Sequence, residues 1–205
     1  MMNDKKVLQG GKLAGGNPKN GRVENDYYAT NPKAVEALFN NYAWDSKTNL
    51  EPCVGEGHIA KVFNKFTNKR ELDCLDLVDR GYPNTIVQDF LTYTTDKKYE
   101  GIITNPPFSL AQEFIEKSIS LLDENGQIAM FLKIQFLEGS KREEFFKKFP
   151  PKYIYVFRKR MATWNNGQEF DENGKHWATT MCHAWFIWEK ENEKMSNTEP
   201  IIRWL

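Results

Sequence analysis

The run Gly101-Ile102-Ile103-Thr104, delivered straight into Asn105-Pro106-Pro107-Phe108, constrains this chain more than any other stretch of it. Two β-branched residues bounded by glycine before and proline after read as a short buried strand that stops where the prolines begin. The two prolines fix φ and remove two backbone donors, so the carbonyls of Asn105 and Pro106 can face outward without competing ladder bonds. In an open α/β sheet, the carboxyl edge of the strands is where ligands bind.

A rigid row of acceptors suits an exocyclic amine. Such a nitrogen donates hydrogens readily but attacks poorly, because its lone pair is delocalised into the neighbouring π system. The Asn105 side-chain oxygen and the Pro106 carbonyl would each accept one N–H, favouring the pyramidal nitrogen that forms during attack. Phe108 offers a face on which a planar group can stack. Taken alone, the tetrapeptide reads first as a proline-punctuated turn after a strand; the rest of the chain argues for the chemical reading.

Upstream, Asn49-Leu50-Glu51-Pro52-Cys53-Val54-Gly55-Glu56-Gly57-His58-Ile59 reads as a strand, a glycine loop and the start of a helix that opens with Ala60-Lys61-Val62-Phe63. Helix N–H groups then point at whatever occupies the loop, and glycine lets backbone approach it. The spacing fits neither the phosphate-binding loop ending in Gly-Lys nor a three-glycine dinucleotide fingerprint. An acidic loop suits a ligand with a cationic amino-acid end. Leu72-Asp73-Cys74-Leu75-Asp76-Leu77 is the second strand, and Asp76 stands about twenty positions past the loop, where a ribose diol is held, with Asp79 the runner-up. Ile86-Val87-Gln88-Asp89-Phe90-Leu91 is a third short strand; Asp89 suits an adenine amine and Phe90 the ring. Each acid alone is also an ordinary loop residue or helix cap; in series after successive strands they describe one nucleoside pocket.

In this order the motifs resemble those of class I S-adenosylmethionine-dependent amino-methyltransferases of the DNA adenine-N6 type, in particular the small stand-alone enzymes of phages and prophages. The resemblance covers residues 24 to 138. It implies an α/β, Rossmann-like fold with a seven-stranded, mostly parallel sheet and an antiparallel C-terminal hairpin. It implies catalysis by Asn105, Pro106, Pro107 and Phe108. It implies S-adenosyl-L-methionine held by Glu51, Pro52, Gly55, Gly57, Asp76, Asp89 and Phe90. Tyr28 and Thr30, in Asn25-Asp26-Tyr27-Tyr28-Ala29-Thr30-Asn31-Pro32 ahead of a helix over residues 33 to 39, would close over the methionine end. Many members carry Tyr where this chain has Phe108; the stacking face is retained. The expected partner is DNA with its target adenine flipped out, since a stacked base cannot reach such a pocket. Related motifs also serve enzymes acting on RNA adenine or guanine and on protein glutamine. Those remain alternatives, beside a binding module without turnover.

Composition sets outer bounds. With 205 residues, 40% of them hydrophobic, the chain can bury one adequate core, read as a single domain over residues 23 to 205. Lys plus Arg equals Asp plus Glu at 28 each, so any grip on nucleic acid must be local. Cys53, Cys74 and Cys182 are isolated and odd in number, which suits a reducing cytoplasm, and they form no zinc spacing with His58, His176 and His183, so no metal is expected. No apolar run approaches the roughly 20 residues of a membrane span, and no signal-peptide core is read. Residues 1 to 22 read as a mobile arm whose Lys5, Lys6, Lys12, Lys19 and Arg22 either contact nucleic acid or are simply solvated.

Beyond the catalytic motif, residues 110 to 119 have helical spacing with Phe114 near the cofactor, residues 126 to 132 form a buried strand, and residues 141 to 149 a short charged helix. Tyr153-Ile154-Tyr155-Val156-Phe157 and His183-Ala184-Trp185-Phe186-Ile187-Trp188 read as the last two strands. Between them, residues 158 to 180 form a long polar loop. Its Arg158, Lys159, Arg160 and Trp164 suit a phosphate clamp beside a flipped base, although a solvated basic turn has the same composition. Trp204 in the tail is expected to dock on the domain, and the size allows a homodimer with a second DNA contact.

Overall fold

The computed structural model describes residues 27–165, 167–177, 179–191, 194–195 and 199–205. The arm at residues 1 to 22, together with Asn25, Asp26 and Asn166, lies outside the described residues. In chain order the elements are β1 (Tyr28–Ala29), α1 (Pro32–Asn41), β2 (Thr48–Glu51), α2 (His58–Phe66), β3 (Glu71–Asp76), β4 (Ile86–Val87), β5 (Tyr99–Thr104), α3 (Ala111–Leu121), β6 (Leu122–Lys133), α4 (Glu143–Lys148), β7 (Tyr153–Val156), β8 (Trp164–Asn165), β9 (His183–Glu191), β10 (Lys194–Met195) and β11 (Ile201–Trp204).

The main sheet runs β11-β7-β9-β6-β5-β2-β3-β4, with β10 added to β9. Every antiparallel pairing in it involves β9, which inserts between β6 and β7; the other neighbours are parallel. The seven expected strands are present, and the tail contributes an eighth, β11, at the edge. Trp204 is 65% exposed, so its backbone, not its ring, docks the tail. The third strand is shorter than expected: only Ile86 and Val87 pair, and once the Gln88 N–H has bonded the Asp76 carbonyl at 2.9 Å the chain bends away from the sheet edge.

Alternation along the central strands splits the core into two layers. Ile102, Ile128, Met130, Leu132, Phe186 and Trp188 face α3 and α4; Ile103, Ala129, Phe131, Trp185 and Ile187 face α1 and α2. Both indole donors are satisfied, Trp185 by the Ala34 carbonyl at 2.8 Å and Trp188 by the Phe149 carbonyl at 3.0 Å. Helix α1 starts as its sequence demands: the Asn31 side chain accepts the Lys33 N–H at 3.0 Å and Pro32 takes the first helical position.

The chain builds β2, β3 and β4 outward in one direction, then returns to place β5 and β6 on the other side of β2. The switch point therefore lies between the carboxyl ends of β2 and β5. Glu51 is the last residue of the first, and Asn105 follows the last residue of the second.

Candidate active site

A cleft with about 880 Å³ of free space, mouth included, opens at that switch point. Glu51, Pro52, Asp76, Asp89 and Phe90 line it, as do Tyr28, Thr30, Asn105 and Pro107. Sequence-distant motifs thus meet because parallel strands bring all their carboxyl ends to one edge.

Glu51 is 1% exposed, and its Oε2 has no hydrogen-bond partner among the described residues. Burial, reinforced by the nearby Asp76, raises its pKa well above the ordinary carboxylate range; the Ala60 N–H in the first turn of α2 pulls the other way. A buried, half-satisfied acid in a cleft calls for a cationic ligand. Asp76 accepts the Gly55 N–H at 2.8 Å on one oxygen and the Val78 N–H at 3.0 Å on the other, so it ties the glycine loop to β3 while each oxygen keeps a lone pair for a hydroxyl. The runner-up, Asp79, accepts the Gly81 N–H at 2.8 Å and is not among the lining residues. Asp89 is held by the Leu91 N–H at 2.9 Å, and Phe90 packs on Phe114 with centroids 5.0 Å apart. Phe114 also lines the cleft.

Gly55 and Gly57 are packed against tyrosines of this chain. Neither lines the cleft. Both have positive φ; an added Cβ would stand 2.7 Å from the Tyr27 ring at Gly55 and would overlap the Tyr82 ring at Gly57. The space that glycine leaves is filled by this chain's own tyrosines.

At the end of the neighbouring strand, Asn105 Nδ2 donates to the Tyr28 carbonyl at 2.7 Å, which orients the amide and leaves Oδ1 as an acceptor. The Pro107 carbonyl accepts the Leu110 N–H at 2.9 Å within the turn Phe108–Leu110, so of the two proline carbonyls Pro106 is the one not committed to that turn. Pro106 is buried and does not line the cleft; nor does Phe108, which lies beside it, 6.4 Å from the Tyr28 ring at 18°.

Residues 158 to 180 divide. Arg158, Lys159 and Arg160 are exposed, and Arg158 reaches the Leu205 carbonyl through both its backbone N–H at 3.0 Å and its Nε at 3.3 Å. Trp164 is separated from them. It pairs with Ala29 in the small β1–β8 sheet and sits edge-on to His58 at 5.2 Å, against the glycine loop. The rest of the loop is locally organised: Asp171 Oδ1 accepts the Asn173 and Lys175 N–H groups, both at 2.9 Å, and Trp177 Nε1 donates to the Gln168 carbonyl at 2.7 Å.

Sequence reasoning missed Tyr27, His58 and Arg80 as lining residues. The Arg80 guanidinium lies 3.9 Å from the Tyr27 ring centroid, and burial pushes the Tyr27 hydroxyl up to about 12. Arg80 carried a signal, since it directly follows the Asp76–Asp79 pair of candidate acids; Tyr27 and His58 stood inside quoted motifs with no role attached. The cleft thus offers three carboxylates and one guanidinium. An acid-rich lining of that kind suits a cationic ligand better than a pyrophosphate. Among the described residues there is no cluster of metal-ligating side chains, and no helix is long and apolar enough to cross a membrane.

No protein-family model matches the chain, and no curated protein does. Solved structures do. A candidate class I S-adenosylmethionine-dependent methyltransferase from Listeria monocytogenes superposes with a TM-score of 0.63 at 16% identity over 91% of this chain and 68% of its own. A candidate RNA methyltransferase from Pyrococcus horikoshii gives 0.60 at 12% identity over 84% of this chain and 92% of its own. The methyltransferase subunit of a type I restriction-modification system from Streptococcus thermophilus gives 0.56 at 13% identity; the match covers 80% of this chain but only 45% of that one. At such identities the likeness is one of fold, and the fold is the Rossmann-like class I methyltransferase fold.

Proposed function

We propose that this protein transfers a methyl group from S-adenosyl-L-methionine to the N6 amine of adenine in DNA. The observation that carries the reading is the position of Asn105. Its amide is fixed by the Tyr28 carbonyl at the switch point, and it opens into the same cleft as Glu51, Asp76 and Asp89.

The residues fit the cofactor. Glu51 supplies the unpaired buried anion for its cationic amino-acid end, Asp76 the acceptors for the ribose diol, and Asp89 with Phe90 the contacts for the adenine edge and ring. Bound there, the cofactor supplies a methyl group on a cationic sulfonium, a leaving group that needs no metal. Asn105 Oδ1 and the Pro106 carbonyl would accept the two hydrogens of the acceptor amine and draw its lone pair out of conjugation; once methylated, that nitrogen would release one of those hydrogens as a proton to water. Phe108 stacks on the acceptor ring. Because the prolines hold these acceptors rigidly, much of the acceleration comes from positioning. Arg158, Lys159 and Arg160 are the proposed phosphate contacts, and the target base is flipped out of the duplex. Support for DNA comes from the motif; the fold itself is shared with a restriction-modification methyltransferase subunit and with a candidate RNA methyltransferase alike.

The test is transfer of labelled methyl to unmethylated DNA, RNA and protein extract, with the modified product identified by mass spectrometry and Asn105→Ala in parallel. N6-methyladenine in DNA that vanishes in the variant is the expected result. Label only in RNA or protein refutes the substrate; equal label with Asn105→Ala refutes the site.

A further inference from the structure

Phe108 lies between Tyr28, stacked on it at 6.4 Å, and a row of rings that runs into the core. Its ring lies 5.7 Å from His183 at 29°; His183 lies 5.0 Å from Phe131 at 18°; Phe131 packs edge-on to the buried Trp185 at 5.2 Å. His183 opens β9, opposite Lys133 at the end of β6, and the Lys133 ammonium stands 4.6 Å from the Phe108 centroid. The imidazole is 3% exposed.

Core packing alone does not call for a histidine at this position. Nδ1 meets the Met161 carbonyl at 3.1 Å, so Nδ1 carries the hydrogen and Nε2 carries a lone pair. Nε2 is buried and has no partner among the described residues. A half-satisfied polar ring within an apolar stack is unfavourable by itself, and such groups call for an explanation. Phenylalanine would stack as well without that penalty. What histidine adds is a donor edge, and that edge holds Met161, in the first part of the long loop between β7 and β9. Phe108 itself stands on a three-residue turn and is only half-buried, so its ring angle must be set by what it packs on.

We propose that His183 is a positioning residue for the methyl acceptor: its imidazole sets the angle of the Phe108 ring and ties that ring, through Met161, to the loop after β7. This rests on the proposed amine methylation, and it adds a residue that touches neither cofactor nor acceptor. Phe108 supplies the face on which the acceptor rests, and in-line transfer tolerates little misplacement of that plane, so loss of the stack raises the acceptor KM and lowers kcat, while Glu51, Asp76 and Asp89 make no contact with the stack and cofactor affinity is unaffected.

The experiment is a double-mutant cycle between positions 108 and 183, read as kcat and acceptor KM on whichever of DNA, RNA or protein the wild-type enzyme labels, with cofactor Kd measured alongside. His183→Asn, which keeps a donor and loses the ring, is expected to raise acceptor KM at least about tenfold with cofactor Kd within about twofold of wild type. His183→Phe, which keeps the ring but loses the bond to Met161, should recover only part of that KM loss. In a Phe108→Ala background, His183→Asn should add nothing, since its effect passes through that ring. Should His183→Asn unfold the chain, His183→Leu makes the same comparison with an apolar, non-aromatic side chain. Additive effects, or His183→Phe as impaired as His183→Asn, overturn the inference. Label in RNA or protein but not DNA refutes the substrate reading while the cycle still decides His183; no wild-type label on any acceptor removes both.

Discussion

Replacing Glu51 by Gln should change stability and cofactor affinity in opposite directions. In the ligand-free protein the carboxylate is buried, has Oε2 unpaired and is repelled by Asp76, so its folded pKa is raised above 4.5. For an acid raised in this way, the stability contribution is fully present below the unfolded pKa and is lost as pH rises through the folded one. At neutral pH the charge therefore destabilises the free protein. An unsatisfied buried group costs roughly 1–3 kcal/mol. Removing its charge at constant shape should recover about 1 kcal/mol, or about 2–4 °C in Tm for a chain of this size. The same substitution removes a charge-assisted contact to the cationic end of the cofactor, worth about 1.5–3 kcal/mol, so Kd should rise roughly 10- to 150-fold. Affinity of the wild type should fall as pH drops and the carboxylate takes up a proton, and Glu51→Gln should lose that dependence. Thermal melts with and without S-adenosylhomocysteine, and calorimetric titration over a range of pH, read all of these quantities. A Glu51→Gln protein that melts lower than wild type yet binds equally well would refute the argument.

Three further outcomes follow from the same geometry. Asn105→Ala should lower kcat by at least about a hundredfold, as loss of a transition-state hydrogen bond does, while cofactor Kd measured by titration stays within about threefold. Gly57→Ala should destabilise the fold by about 2 kcal/mol or more, because φ is +80° and the new Cβ would overlap the Tyr82 ring; the melting loss should shrink in a Tyr82→Ala background. Burial lowers the His183 pKa from 6.5 to about 4, so this residue's contribution is fully present above pH 6.5 and is lost as pH falls toward 4. The loss amounts to up to about 3 kcal/mol. Denaturant melts of wild type and His183→Phe should converge in pH dependence only if this reasoning is wrong.

The sheet could be read from sequence wherever a strand is buried on both faces. The β-branched run before Asn105 and the aliphatic run ending at Leu132 each became a central strand, since an apolar segment flanked by turn residues has few other places to go. Edges were harder. Residues 86 to 91 have strand composition, yet only two pair, because an edge strand gains little from burial and the turn at Gln88 ends it early. Residues 201 to 204 pair as a strand although all four are exposed, because backbone bonds to β7, which no side-chain pattern reports, hold them.

The same division holds at the cleft. Local sequence determined which residues are candidates for chemistry: an acid at a strand end, a glycine loop, and an asparagine locked ahead of two prolines announce themselves through backbone constraints that act within a few residues. Only tertiary structure decided what those residues touch. That Gly57 makes room for Tyr82, that Tyr28 orients Asn105 across 77 positions of chain, that Trp164 rests on His58, and that His183 props Phe108 are all contacts between segments far apart in sequence. Such contacts are set by strand order and register. The placement of β9 between β6 and β7 brings His183 beside Lys133 and Phe108, and no local preference of the chain encodes that placement.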